Sequence, residues 1–285
     1  MNLLNIISEI EKTDPEIYDR LDTRRNAMKS FANKSGKVAL AAIPFALGSM
    51  FKKAYAGTRS PDDIIVDTLN FALTLEYLES EFYKQAVATN IIPTAAARAA
   101  LTVIRDHEVA HVAFLITAIK GAGGMPIPVL TAANFDFTAG GLFPTVFTDY
   151  GYMLAVAQTF EDTGVRAYKG QAANLISNSA YLTAALQIHS VEARHAAHLR
   201  EMRKALGALV PAGVDVKPWI TLSQSGIGTQ AVQATYAGED NVTQAGVLIT
   251  NIGGNMISAV AASESFDEPL TKEAVLAIVA PFIKA

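Results

Sequence analysis

Apolar residues recur at helical spacing in four stretches of the chain, and each stretch predicts an amphipathic helix. The first spans Pro61 to about Thr89, opened by Ser60-Pro61-Asp62-Asp63, which supplies a capping side chain, a proline in the first turn and acidic residues near the positive end of the dipole. Its inner stripe is Ile65, Leu69, Ala72, Leu73, Glu76, Ser80, Tyr83 and Val87. The second spans Pro93 to Lys120, stops at Gly121, and turns Ala97, Leu101, Ile104, Glu108, His111, Leu115 and Ile119 to one face. Residues 121–144, rich in Gly, Pro, Thr and Ala, carry no strong periodicity and read as a long connection. A third helix is predicted from about Thr145 to Leu175, with Tyr150, Leu154, Ala157, Glu161, Val165, Tyr168 and Ala172 inward. The fourth spans about Ser179 to Leu206, stops at Gly207, and turns Ala185, Ile188, Glu192, His195, Leu199 and Met202 inward. Residues 208–285 read as a loop-rich extension with one or two further helices, the last opening at Pro269-Leu270-Thr271-Lys272-Glu273, packed on the bundle.

Several of these stripes contain carboxylates and imidazoles, the wrong place for a solvated charge. They fall in a fixed order: Glu76, then Glu108-x-x-His111, then Glu161, then Glu192-x-x-His195. Residues three apart share one face of a helix, so each Glu-x-x-His aims a carboxylate and an imidazole at one target. The spacing repeats as well. Glu76 to Glu161 is 85 residues, while Glu108 to Glu192 and His111 to His195 are each 84, and Tyr83 and Tyr168 follow their glutamates at the same distance. The chain therefore reads as two helical hairpins related by a pseudo-twofold axis. Single glutamates alternating with Glu-x-x-His pairs is the ligand order of a four-helix bundle that holds two metal ions. Four carboxylates carry −4 and two divalent ions return +4, whereas without metal the buried carboxylates would have to protonate, find partners or open the bundle. Glu79, one turn beyond Glu76, is a candidate neighbour of the ligands, as are Tyr83 and Tyr168. His107, His189 and His198 are expected to face solvent or neighbouring helices.

Composition narrows the chemistry. The 285 residues include 51% hydrophobic residues, enough for a sizeable core. A net charge of −4 and the lack of a basic cluster interleaved with aromatics give no reason to expect nucleic acid as a partner. There are no cysteines, so a metal must be held by oxygen and imidazole nitrogen, which suits iron, manganese or zinc. His107-Glu108-Val109-Ala110-His111 also matches the His-Glu-x-x-His signature of zinc peptidases. The repeat argues against that reading, because Val191 stands where His107 does in the first copy.

The first 57 residues differ from the rest. Thr23-Arg24-Arg25-Asn26-Ala27-Met28-Lys29 precedes a fourteen-residue apolar run, Val38 to Phe51, flanked by Lys37 and Lys52 and followed by Ala54-Tyr55-Ala56. The run is too short to span a bilayer comfortably, so no stable membrane span is expected. The segment resembles a twin-arginine export signal, though Ala27 replaces the usual phenylalanine and the stretch before the arginines is long. It implies the export machinery as a partner and a periplasmic or exported location. The alternative is an uncleaved helix packed on a cytoplasmic protein.

Asn70-Phe71-Ala72-Leu73-Thr74-Leu75-Glu76-Tyr77-Leu78-Glu79 resembles the opening helix of bacterial ferritin-like domain proteins, and the resemblance covers about Pro61 to Leu206. It implies an all-α fold: a ferritin-like four-helix bundle at residues 58–207, with a long crossover between its second and third helices, an N-terminal segment at 1–57 and a helical tail at 208–285. It further implies a dinuclear iron or manganese centre, with Glu108 and Glu192 bridging, Glu76 and Glu161 terminal, and His111 and His195 each capping one metal. Activities in the superfamily include ferroxidase, peroxidase, manganese catalase and oxygenase chemistry. The leading expectation is an oxidoreductase acting on dioxygen, peroxide or ferrous iron; the alternative is a structural or stress-associated protein without catalysis. Self-association is left open, and the stretch Tyr236-Ala237-Gly238-Glu239-Asp240 has no assigned role.

Overall fold

The computed structural model describes residues 60–207 and 209–284. The export-signal reading of residues 1–57 lies outside them. Four long helices are present: α1 (Pro61–Ala88), α2 (Ala95–Gly121), α3 (Tyr150–Gln171) and α4 (Ser179–Leu206). Each opens on a side-chain cap. Ser60 and Asp63 form a reciprocal capping box on α1, Thr94 Oγ1 accepts from Ala97 N at 3.0 Å, Asp149 Oδ1 from Tyr152 N at 2.9 Å, and Asn178 Oδ1 from Ala180 N at 3.1 Å. Caps of this kind contribute about 1 kcal/mol each. Gly207 ends α4 at φ 66°, the left-handed conformation that a side chain disfavours.

Three boundaries differ from the sequence reading. The second helix begins at Ala95, because Thr94 is the cap and Pro93 precedes it. The third begins at Tyr150 rather than near Thr145, because the Asp149 carboxylate takes the cap and residues 144–148 are turns; it ends at Gln171, followed by a 3₁₀ turn, Ala172–Leu175.

Burial is also distributed differently. α2 and α4 bury one face each, but α1 from Thr68 to Ser80 and α3 from Met153 to Tyr168 are buried all round. The crossover covers α1. Asn70 donates to Met125 O (3.1 Å) and accepts from Ile127 N (2.8 Å), and Phe82 meets Phe137 and Phe147 at centroid distances of 5.4 and 5.5 Å.

The C-terminal residues cover α3. Besides short helices α5 (Ala259–Ser263) and α6 (Lys272–Val279, capped by Thr271), they supply partners for charged groups buried on α3 and α4. Asp162 accepts from Arg200 at 2.5 Å and from the Tyr236 hydroxyl at 2.7 Å. Gln158 bridges Tyr236 and Arg203, and Arg203 donates to Gly226 O at 2.7 Å. Arg166, 1% exposed, pairs with Glu239 at 2.7 Å and donates to the carbonyls of Thr235, Ala237 and Glu268. Met202, expected inward, is only half-buried, and Arg203 takes the inner position. Where the tail crosses α3 the backbones touch: Leu270 N donates to Arg166 O at 3.1 Å, and a Cβ added to Gly170 would stand 1.9 Å from Leu270 O. Gly170→Ala is therefore expected to destabilise by about 2–3 kcal/mol, since a backbone carbonyl cannot rotate aside as a side chain can. A thermal melt equal to that of the parent would contradict this packing.

Candidate metal centre

The hydrophobic faces of the four helices meet around a cluster of acids. Glu76 on α1, Glu108 on α2, Glu161 on α3 and Glu192 on α4 are all 0% exposed, and His111 and His195 are buried beside them. The structure brings together all six ligands expected from the sequence. His111 Nδ1 lies 3.2 Å from Glu76 Oε2, 3.0 Å from Glu108 Oε2 and 3.2 Å from Glu192 Oε1. His195 Nδ1 lies 2.9 Å from Glu108 Oε1, 3.1 Å from Glu161 Oε2 and 3.9 Å from Glu192 Oε2. Among the described residues two groups have donor atoms close enough to share an ion: Glu76, Glu108, His111 and Glu192, and Glu108, Glu161, Glu192 and His195. Glu108 and Glu192 belong to both.

Residues 65–205 match the family model for a ferritin-like domain. The four-helix bundle is a ferritin-like domain. No curated protein matches it. The ferritin-like bundle thus carries a candidate carboxylate and histidine metal site at its centre.

The two hairpins also cross-brace the site. The Tyr83 hydroxyl on α1 donates to Glu161 Oε1 on α3 at 2.5 Å, and the Tyr168 hydroxyl on α3 donates to Glu76 Oε1 on α1 at 2.5 Å. Each tyrosine holds the outer oxygen of the opposite half's glutamate and leaves the other oxygen facing the histidines.

The electrostatics are those of a site built for positive charge. Burial pushes the Glu76 carboxyl up to about 8, against the hydrogen bond from His111, and Glu108 raises it further. Burial also raises Glu192 well above the carboxylate range, with Glu108 and Glu161 adding repulsion. Glu108 is as deeply buried, but hydrogen bonds from His111 and His195 hold it down to about 2. The two histidines, which burial alone would lower, are pulled up to about 10 by the surrounding carboxylates. Protons thus do part of the work a cation would do. The compensation is incomplete: both oxygens of Glu192 are buried without a hydrogen-bond partner. Buried carboxylate oxygens left in this state cost free energy that metal coordination would recover, so the donor set fits divalent ions.

Glu79, 3% exposed, makes a fifth carboxylate at the cluster. Burial lifts its pKa well above the ordinary value, and Glu161 and Glu76 raise it further. Its counterpart in the second half is Gly164. A Cβ there would lie 3.2 Å from Glu79 Oε1 and 3.6 Å from Glu192 Oε2, so the missing side chain makes room for the extra acid.

His107, expected to face solvent or a neighbouring helix, meets α4 beside the site. His107 Nδ1 is 2.9 Å from His195 Nε2, with the rings nearly parallel. Burial and the positive charge of His195 lower the His107 pKa, favouring the neutral form that accepts the His195 Nε2 proton. A ligand histidine usually gives its second N–H to such a partner. The His-Glu-x-x-His motif was the available signal, but His107 joins neither donor group, so its two histidines do not converge as zinc peptidase ligands do. His189 instead bonds Val165 O at 3.0 Å, and His198 is exposed.

Proposed function

We propose that this protein is a di-metal oxidoreductase that binds two iron or manganese ions and acts on dioxygen, peroxide or ferrous iron. The observation that carries the reading is the pair of overlapping donor groups sharing Glu108 and Glu192, which is the arrangement two bridged ions require. A bound pair of such ions would supply a two-electron change to one oxidant. The chain's own residues prepare the site for it. Glu108 and Glu192 would serve both ions, Glu76 with His111 would hold one and Glu161 with His195 the other, and Tyr83 and Tyr168 fix the outer glutamates. His107 holds the His195 ring so that Nδ1 faces the centre. The apolar shell of α1 and α3 keeps bulk water from competing for the ligands. The leader-like sequence of residues 1–57 supports a periplasmic or exported location for this activity. Among the described residues no helix is long and apolar enough to cross a membrane.

The test is metal content by mass spectrometry on protein purified without added metal or chelator. About two iron or manganese ions per chain are expected. A chain that stays empty even after reconstitution with either metal would sink the proposal.

A further inference from the structure

An apolar cavity of about 20 Å³ lies between the four helices on the Glu76 side of the cluster. Leu75, Ala167, Ala185, Ile188 and the ring of Tyr168 line it, and Phe114, 42% exposed, stands at its rim. Tyr168 belongs to both places, since its hydroxyl is bonded to Glu76.

The repeat explains why the cavity exists on this side. Offsets of 85 residues between α1 and α3, and 84 between α2 and α4, pair Ala167 with Phe82, Leu75 with Phe160, and Ala185 with Leu101. Around Tyr83, the counterpart of Tyr168, the larger residues fill the space: Phe82 meets Tyr83 edge-on at 5.3 Å and Phe160 at 5.2 Å. Around Tyr168 the same positions hold smaller side chains. Phe71 and Tyr181 run the other way, replacing Val156 and Ala97, and do not close the gap.

We propose that this cavity is a staging site for dioxygen, reached from the Phe114 side and adjoining the Glu76–His111 half of the centre. The proposal rests on the di-metal reading above and selects among its oxidants. Space for a single water-sized molecule takes about 10–15 Å³, so the cavity admits a diatomic molecule and excludes larger organic substrates. Its lining is almost wholly apolar, and such cavities stay dry and take up apolar gases. Hydrogen peroxide and ferrous ion would have to shed hydrogen bonds or hydration to enter, whereas dioxygen sheds neither.

Xenon, an apolar probe of similar size, provides the test. Diffraction from crystals of the full chain under xenon pressure should show one xenon atom beside Tyr168. It should be absent in Ala167→Phe, which copies the other half, and weaker in Ala185→Leu, a milder filling that keeps the test available if the first variant misfolds. In the metal-loaded protein, Ala167→Phe should slow oxidation by dioxygen about tenfold, equivalent to about 1.4 kcal/mol, and leave the rate with hydrogen peroxide unchanged. No xenon in the parent cavity, or equal slowing with both oxidants, would overturn the proposal. Metal content measured on the same preparations separates the two failures: metal without xenon removes only the staging site, and xenon without metal removes the oxidoreductase and the role of dioxygen with it.

Discussion

Glu108→Ala and Glu192→Ala are each expected to empty both metal positions, whereas Glu76→Ala or Glu161→Ala should empty one. The difference follows from sharing: Glu108 and Glu192 are in both donor groups, and the outer glutamates are in one each. Metal-to-protein ratios on the four variants decide it, and equal losses from all four would show that the carboxylates do not divide into bridging and outer pairs. Stability should follow occupancy. A ligand present at a thousand times its dissociation constant stabilises the native state by about 4 kcal/mol. For a bundle of this size that corresponds to a fall of roughly 8–16 °C in Tm when a chelator removes the metal. Glu192→Gln should reverse sign between the two states. With metal it loses a ligand and melts lower than the parent. Without metal it removes a buried carboxyl crowded by Glu108 and Glu161, and should melt at or above the parent. Metal uptake should also release protons and weaken as pH falls, because His111 and His195 hold protons that the ions must displace.

Arg166→Ala should destabilise the protein by about 3–5 kcal/mol, because it strands Glu239 as a buried carboxyl and frees three backbone carbonyls. The deficit should grow as pH rises. Burial already pushes Glu239 up to about 7 against the pull of Arg166, and losing the guanidinium raises it further. Up to about 7 both folded proteins retain a proton that the unfolded chain gives up and lose stability alike; above it the parent's Glu239 ionises while the variant's stays protonated, so the deficit widens from there to the variant's higher value. Thermal melts across that window, with limited proteolysis of residues 209–242, would show it. Pairing Arg166→Met with Glu239→Leu should recover much of the loss, since an apolar pair leaves no unpaired charge. An Arg166→Ala protein that melts with the parent would mean the tail is held by its apolar contacts alone.

The sequence made the centre legible because its chemistry is local. Glu-x-x-His needs only one helical turn to aim its two groups, and the 84- and 85-residue offsets bring the hairpins into register without knowledge of the loops. Helix starts were legible where a cap has one reading, as at Ser60-Pro61, and less so at Thr145, where Asp149 supplies the cap instead. What could not be read depends on distant parts of the chain. A single stripe was assigned to α1 and α3, yet both are enclosed, because their outer faces meet the crossover and residues 209–284. Arg166 and Arg203 look like solvent residues until the tail brings them a carboxylate and carbonyls, and Arg200 until α3 sets Asp162 against it. The unassigned Tyr236 to Asp240 stretch is half of that arrangement: Tyr236 bonds Asp162 and Glu239 pairs with Arg166.

Two identical hairpins meeting on a true twofold axis could build the same ring of ligands, but every residue near that axis would then occur twice. An acid added on one side would bring a second acid on the other, and a gap opened beside one tyrosine would open beside both. A single chain is free of that rule. Glu79 opposite Gly164, His107 opposite Val191 and Ala167 opposite Phe82 are differences that two identical hairpins could not hold. The single chain can therefore give its two donor groups unequal surroundings, and in the proposed centre one end would meet the incoming molecule while the other stays closed.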